Sequence, residues 1–447
     1  MSNISPFEGK KAAFYTLGCK LNFSETATFA KALREMGVTE VEKGEKADLC
    51  LVNTCSVTDV ADHKCRQAIN RMVRNHPGAF VVVTGCYAQL SPQKVAGMEG
   101  VDLVLGSNEK ARLVKLLSEA WDDKNDTTTM HRCHTEKTKD IREFAKSCSR
   151  GNRTRFFLKV QDGCDYFCTY CTIPYARGRS RSDTIQSLVE QAQQAANEGG
   201  KEIVITGVNI GDFGKNTGES FIDLVKALDK VEGIERYRIS SLEPDLISDE
   251  LIEWCAQSRA FMPHFHIPLQ SGADQVLKTM HRRYDTTLFE QKVHKIKQLM
   301  PDAFIGVDVI VGMRGETKEL FQQTCDFLEG LDFSQLHVFP YSERPGTAAL
   351  RIPHVVEEGE KKERGATLIQ LSKRKTQLFY SKFIGRTMDV LFEKTQNGKA
   401  MHGFTPNYIR VELPPEMANP SLDNKIVSVE LGDFNDDKTA LMAIINH

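Results

Sequence analysis

Short apolar runs alternate with amphipathic helical patterns over most of the chain. In residues 10–122 four such runs occur: "AAFYTL" (12–17), "ADLCLVNT" (47–54), "AFVVVTG" (79–85) and "VDLVLG" (101–106). Each precedes a helical pattern, with Ser24 and Ser91-Pro92 placed to start two of them. This alternation predicts a doubly wound parallel sheet. Residues 123–152 are polar and read as a linker, a loop with at most one short helix.

In residues 153–355 the alternation resumes with six strand candidates: 155–161, 202–207, 236–241, 264–269, 304–311 and 335–340. Helical patterns lie between them at 184–198, 220–230, 246–257, 285–300 and 317–329. Six β/α units are too few for a closed eight-fold barrel. They predict a partial (β/α)6 barrel with its chemistry at the strands' C-terminal ends. A linking helix over 356–384 follows, rich in lysine and arginine. Residues 385–447 change character: "TMDVLFEK", "NYIRVEL", "KIVSVEL" and "TALMAII" predict a small antiparallel β-barrel.

Composition narrows the classes. The 447 residues, 40% of them apolar, suffice for several packed cores. No apolar run approaches the roughly 18–20 residues that span a bilayer, and "MSNISPFEGKK" lacks a secretory core. A cytoplasmic protein is therefore expected, with no membrane partner. The formal net charge of −2 does not advertise a nucleic-acid binder, though local basic runs can still make one. Twelve cysteines in a reducing compartment point to metal, catalysis or packing, not to disulfides.

Two cysteine sets stand out. "GCDYFCTYC" puts Cys164, Cys168 and Cys171 just past the first barrel strand. Three thiolates suit an iron–sulfur cluster, whereas structural zinc wants a fourth ligand. His131 and His134 upstream stay open for that role. In the first domain Cys19, Cys55 and Cys86 each end one of the first three predicted strands. Ligands of open α/β sheets bind beyond those ends, so the three should converge. Cys50, Cys65, Cys255 and Cys325 read as packing residues, and Cys133 and Cys148 lie in the linker.

The C-x3-C-x2-C loop after the first strand of a partial barrel resembles the radical S-adenosylmethionine (SAM) superfamily. With the second set, the resemblance narrows to the radical SAM methylthiotransferases and covers nearly the whole chain, including a C-terminal TRAM domain. It implies two 4Fe-4S clusters. Cys164, Cys168 and Cys171 would hold the cluster that cleaves SAM. Cys19, Cys55 and Cys86 would hold an auxiliary cluster carrying sulfide or polysulfide. "TLGCKLN" and "EIVITGVNIGDFG" (202–214) resemble the branch acting on threonylcarbamoyl-adenosine at position 37 of tRNA. The isopentenyl-adenosine branch tends towards Gln where this chain has Lys20, and towards "GQNV" where it has "GVNI". SAM would serve both as methyl donor and as source of a 5′-deoxyadenosyl radical, and the target would be C2 of an unstacked adenine.

By the same resemblance, Asn209, Ser241, Glu243 and Gln270 should surround SAM, with Val311 and Phe339 near its adenine. Phe167 and Tyr170 should shield the cluster. Arg177, with Arg179 and Arg181, is expected on the methionine carboxylate or on RNA phosphate. Arg386, His402, Phe404, Asn407, Tyr408 and Arg410 mix basic and aromatic side chains and are expected to grip RNA. The implied partners are a tRNA anticodon stem-loop, an electron donor of flavodoxin or ferredoxin type, and a sulfur donor; the chain is expected to be a monomer. The first domain should cap the barrel's mouth. The rival readings are the same fold on isopentenyl-adenosine or on a ribosomal-protein aspartate, a zinc-containing RNA-binding protein, and a two-cluster electron carrier.

Overall fold

The computed structural model describes residues 5–122, 133–151, 153–395 and 398–445. Its first sheet is parallel throughout, in the spatial order Thr39–Glu40, Lys11–Thr16, Leu49–Thr54, Phe80–Gly85, Leu103–Leu105, Cys133–His134. Leu49–Thr54 and Phe80–Gly85 are buried at every position. That is the pattern of central strands covered on both faces. The helix after the first strand is Lys20–Glu35, with Cys19 as its N-cap, so it starts ahead of the expected Ser24. Ser24 is buried inside it, donating to the Phe157 carbonyl (2.8 Å) and meeting the Ser147 hydroxyl. A tertiary contact has taken the hydroxyl that the sequence offered as a cap.

The polar linker contributes more than a loop. Cys133–His134 extends the first sheet, and Cys148–Ser149 runs antiparallel to Phe156–Lys159. Each covers a sheet edge that would otherwise be bare. Two-residue strands are too short to leave a periodic trace in sequence. Thr138–Asp140 is the short helical turn, and His131 lies outside the described residues.

The second domain is an open barrel of parallel strands: Phe156–Lys159, Glu202–Thr206, Arg236–Ile239, His264–Gln270, Phe304–Val311 and Gln335–Pro340. The third and fourth strands touch through the bridges Tyr237–Phe261 and Ser241–His266. Five helices cover the outside, and Thr184, Ser220, Ser248, Asp285 and Thr317 cap them with side-chain oxygens. Each such cap stabilises its helix by about 1 kcal/mol. Strand residues alternate. Ile203, Ile205, Ile267, Leu269, Ile305, Val307 and Val309 pack under the helices. The residues between them carry charge or imidazole into the lumen: Glu202, Arg238, His264, His266, Asp308 and His337.

The helix Glu358–Ser381 lies along Gln335–Pro340, where Ser372 Oγ accepts from Leu336 N (2.8 Å). Part of its basic run is internal: Arg364 is buried, paired with Glu316 (2.5 Å) and Glu360 (2.6 Å). The last domain is a closed barrel of Thr387–Phe392, Met401–Phe404, Arg410–Leu413, Leu441–Ile444 and Ile426–Phe434. Its seams are antiparallel except for the one between Arg410–Leu413 and Leu441–Ile444, which is parallel. This barrel docks on the N-terminal end of the lumen. Arg236 donates to the carbonyls of Phe404 (2.9 Å) and Asp389 (3.0 Å), and Arg238 to those of Thr405 and Pro406 (both 2.8 Å). Among the described residues no helix is long and apolar enough to cross a membrane.

Candidate active site

The first barrel strand leads through Gln161–Asp162 into the cysteine loop. Gly163 has φ +73°, and a Cβ there would lie 2.0 Å from the Arg179 carbonyl oxygen, so only glycine fits. Cys164, Cys168 and Cys171 follow. The Tyr166 amide points at Cys164 Sγ (3.5 Å), the Ile173 amide at Cys171 Sγ (3.4 Å), and Arg282 Nη1 at Cys168 Sγ (3.2 Å). Burial first, then Cys168, pushes the Cys164 and Cys171 thiols up to about 12. Thiols that resist ionisation alone, yet are served by amide and guanidinium donors, fit a cationic core that stabilises them as thiolates.

The second triplet is assembled by sheet register. Thr16 pairs with Asn53 and Thr54 with Gly85, so Cys55 and Cys86 leave adjacent strands side by side, with Cys19 just beyond the neighbouring strand. A Cβ on Gly18 (φ +107°) would sit 2.8 Å from Cys55 Cβ and 3.0 Å from its Sγ. Glycine is what allows this approach. Asn22 Nδ2 ties the turn together, donating to the Leu17 and Thr54 carbonyls (both 2.9 Å). Burial, then the neighbouring Cys86, pushes Cys55 up to about 12, with Cys19 adding to the same effect. Cys65 braces Cys55 through both backbone atoms, accepting from its N–H (3.3 Å) and donating to its carbonyl (3.2 Å).

A single zinc with about 2.3 Å Zn–S bonds needs sulfurs only about 3.8 Å apart. Among the described residues, the set of His, Cys, Asp or Glu with all ligand atoms within 4.8 Å is His266, Asp308 and His337, and neither cysteine triplet is that tight. Neither triplet therefore has the spacing of a single tetrahedral ion.

The first domain caps the barrel's C-terminal mouth. Helix Cys86–Leu90 packs on Ile173–Arg177, immediately after Cys171. Ser107 Oγ donates to the Ala176 carbonyl (2.7 Å), and Arg344 donates to Asp62 (2.6 Å) and Ser56 Oγ (2.9 Å). Between the domains lies a buried charge network. Glu25 meets Lys110 (2.5 Å), Lys159 (3.1 Å) and Arg177 (3.2 Å); Asp162 meets Lys159 (2.7 Å), Arg177 (3.0 Å) and Arg181 (3.3 Å). Burial alone would raise the Glu25 carboxyl, but Arg177, Lys110 and Lys159 hold it well below the usual range. Two carboxylates face four cations here. The surplus positive charge lies within electrostatic reach of Cys86 and Cys19 and suits anionic thiolates there.

Arg177 therefore departs from its expected place. Its guanidinium is engaged by Glu25, Asp162 and Asn22 Oδ1 (2.6 Å) and is 1% exposed, so it locks domains and does not reach for a methionine carboxylate. Val311 also departs: strand parity turns its side chain into the core beneath the helices. Asn209 sits at the mouth with both amide atoms buried and unpartnered, and Gln270 Oε1 and Asp245 Oδ1 are likewise orphaned. Gln270 holds φ +68° at a break in strand register, a strained geometry of the kind found at functional sites. Glu243 pairs with the Arg282 that touches Cys168, and burial, opposed by Arg282, raises its carboxyl to about 7. Ser241 is half-buried beside His266, Tyr170 packs beside Met280 and Met313, and Phe339 stands exposed at the rim. Phe167 (φ +50°) is partly exposed, with its ring against Tyr175 and under Arg179.

Comparison with known proteins places this geometry in a lineage. Residues 158–328 match the radical SAM superfamily model, and residues 11–106 match a model described as uncharacterized protein family UPF0004. The chain is 37% identical to threonylcarbamoyladenosine tRNA methylthiotransferase MtaB of Bacillus subtilis, covering 94% of this chain and 93% of that protein. It is 39% identical to the MtaB of Aquifex aeolicus over 85% and 92%.

This chain belongs to the radical SAM methylthiotransferase family.

Identity to the tRNA-2-methylthio-N(6)-dimethylallyladenosine synthase of Acetivibrio thermocellus is 32%, over 95% of this chain and 89% of that protein. A solved structure of the radical SAM methyltransferase TsrM from Kitasatospora setae, with cobalamin and a [4Fe-4S] cluster bound, superposes with a TM-score of 0.55. Its identity is 15%, over 97% of this chain and 87% of that one. At that identity the likeness speaks for fold alone.

In this methylthiotransferase the expected RNA residues divide. Asn407 is 1% exposed and donates to the Asp302 carbonyl (3.0 Å). Tyr408 is wedged against His264 (4.4 Å between rings) and Phe304 (5.6 Å). Both belong to the joint between the two barrels, not to a free RNA face; the docking surface took the aromatic residues that composition suggested for stacking. Phe404 stacks on Tyr408 under Arg155. His402 pairs with Glu412 (3.0 Å), and Arg386 with Asp302 (3.0 Å) on the surface. Arg410 is half-buried, its backbone N–H donating to Tyr380 Oη (3.1 Å). Sequence reading missed Arg282, Glu25, Lys110 and the His266–Asp308–His337 set. Arg282, in "HRRYD", carries no spacing signal, and the others come together only through register.

Proposed function

We propose that this enzyme inserts a methylthio group at C2 of N6-threonylcarbamoyladenosine 37 in tRNA. The observation that supports this reading is that the two cysteine triplets meet across the domain interface, where Thr172 Oγ1, next to Cys171, donates to the carbonyl of Ser56, next to Cys55 (3.2 Å). The names of the relatives above favour the threonylcarbamoyl substrate. Cys164, Cys168 and Cys171 would hold one [4Fe-4S] cluster, with SAM on its fourth iron. Cys19, Cys55 and Cys86 would hold the auxiliary one, with sulfide or polysulfide on it. When bound, these groups supply a 5′-deoxyadenosyl radical and a methylated sulfur, chemistry that side-chain acids and bases cannot perform at an unactivated aromatic carbon.

The chain's own residues bind, orient and exclude water. The Asn209 amide and Gln270 Oε1, buried without partners, are donors and acceptors held ready for SAM. Arg282, fixed by Glu243 and Tyr284 (3.0 Å to Oη), sets positive charge against Cys168. The Glu25–Asp162 network holds the two domains in register, so an unstacked base between them meets both triplets at fixed distance. An anticodon stem-loop would approach across the rim near Phe339 and Arg179. An electron donor and a sulfur donor complete the cycle. The test is mass spectrometry of tRNA nucleosides from a deletion strain, with and without this gene. The methylthio derivative of threonylcarbamoyl-adenosine should vanish and return on complementation; its persistence in the deletion strain would refute the substrate.

A further inference from the structure

The lumen below the mouth holds a polar cluster apart from both cysteine triplets. His266, Asp308 and His337 stand on three consecutive strands, with Asp308 in register with His337. Asp308 Oδ1 meets His266 Nε2 at 2.6 Å and His337 Nδ1 at 3.0 Å. The side chains remain 19%, 15% and 39% exposed, so they line open space and do not fill a core. Below them His264, Phe304 and Tyr408 close the lumen. The base is thereby closed to a group reaching this cluster.

We propose that His266, Asp308 and His337, with Lys20 beside them, read the substituent on the target base, and that the group they take is polar and bears a carboxylate. This rests on the reading of the protein as a tRNA adenosine methylthiotransferase. One carboxylate oxygen accepting from both rings fixes their orientation. It leaves His266 Nδ1 and His337 Nε2 facing away from Asp308, with no hydrogen bond among the described residues. A hydroxyl or amide N–H on the substituent satisfies them. Lys20 follows Cys19 at the start of its helix and has no ion-pair partner among the described residues. Its side chain is exposed and lies within electrostatic reach of Asp308 and of Tyr408, Arg155 and Arg238 below it, so its ammonium faces the open lumen. Arg155 and Arg238 are already engaged by Glu202, Glu393 and the small barrel's carbonyls, so Lys20 is the cation left for an incoming anion. A hydrocarbon substituent would leave the ammonium and both ring nitrogens unpaired. Polar sites reject apolar analogues steeply for this reason.

The test uses the reconstituted full chain and stem-loop RNAs whose position 37 carries threonylcarbamoyl-adenosine, its methyl ester, or isopentenyl-adenosine. The wild type should prefer the acid to the ester by about 10-fold or more in kcat/KM, and Lys20→Met should bring that ratio near one. His337→Phe should lower kcat/KM on the acid by about 10-fold or more; His337→Gln, whose amide oxygen reaches the Nε2 position as an acceptor, should recover most of it, and His337→Asn, which keeps only the contact to Asp308, should not. Iron content and thermal midpoint report whether each variant is folded and loaded. An unchanged acid-to-ester ratio in Lys20→Met, with His337→Phe within about twofold of wild type, overturns the inference and leaves the substrate reading standing. Stoichiometric zinc lost on His337→Phe overturns it in favour of a metal site. Wild-type turnover of the isopentenyl RNA alone would overturn both readings.

Discussion

The two ends of the barrel make an instructive pair. Both bury charge against a neighbouring domain. At the base, Arg236 and Arg238 spend their donors on carbonyls of the small barrel and on Glu202, and a stack of His264, Phe304 and Tyr408 fills the rest. Only single atoms such as His264 Nδ1 and Glu202 Oε2 lack partners there. At the mouth the network around Glu25 and Asp162 is as tightly paired, yet near it the Asn209 amide and Gln270 Oε1 are buried without hydrogen-bond partners among the described residues. Buried polar groups are normally satisfied. One end is a joint, and the other is a joint built around a site.

The strongest way to break this contrast is to remove thiols. Cys168→Ala should abolish SAM cleavage and about halve the iron, whereas Cys55→Ala should about halve the iron, abolish methylthio product and keep SAM cleavage, as read by 5′-deoxyadenosine release and iron assay. If the two variants behave alike, the triplets are not separate sites.

Next come the joints. Glu25→Gln leaves buried cations uncompensated and should cost about 3–5 kcal/mol, seen as a lower thermal midpoint with intact iron stoichiometry before heating. Because the Glu25 and Asp162 pKa values are depressed on folding, their contribution is present above the unfolded value near 4 and is lost as pH falls below it. At the base, Arg238→Met should cost a similar amount, but locally: hydrogen exchange should quicken in residues 387–444 and stay unchanged in the first domain.

Asn209→Ala sharpens the comparison by its asymmetry. Its amide makes no hydrogen bond, so thermal stability should change by no more than about 1 kcal/mol, while the KM for SAM should rise by about 10-fold. The smallest effect belongs to His264. Burial holds its imidazole neutral, well below its ordinary pKa. The unfolded state takes up a proton first as pH falls through about 6.5, so docking of the small barrel should weaken below that pH and not above it. A His264→Phe variant should flatten that dependence.

Much of this was legible beforehand. The barrel strands lie where the apolar runs put them, because alternate burial under helices leaves a period-two trace that survives without partners in view. The cysteines were legible because thiols in a reducing compartment need a reason. Arg177 was misread because its position after the cluster loop suggests a ligand, while the carboxylates that claim it come from residues 25 and 162. Asn407 and Tyr408 were misread because an aromatic-basic mixture looks the same facing RNA or facing another domain. Arg282 left no signal, since one arginine among many has no spacing to betray it.

The sequence alone determined the order of the elements and the family, and singled out two thiol triplets, because periodicity and ligand chemistry are local. Only the tertiary structure decided which charged side chains are spent on holding domains together and which remain free. That division depends on what each guanidinium or carboxylate meets once two distant segments are brought within about 3 Å of each other. It is how His266, Asp308 and His337, spread over three strands, become one cluster, and how Arg177 leaves the ligand for the joint.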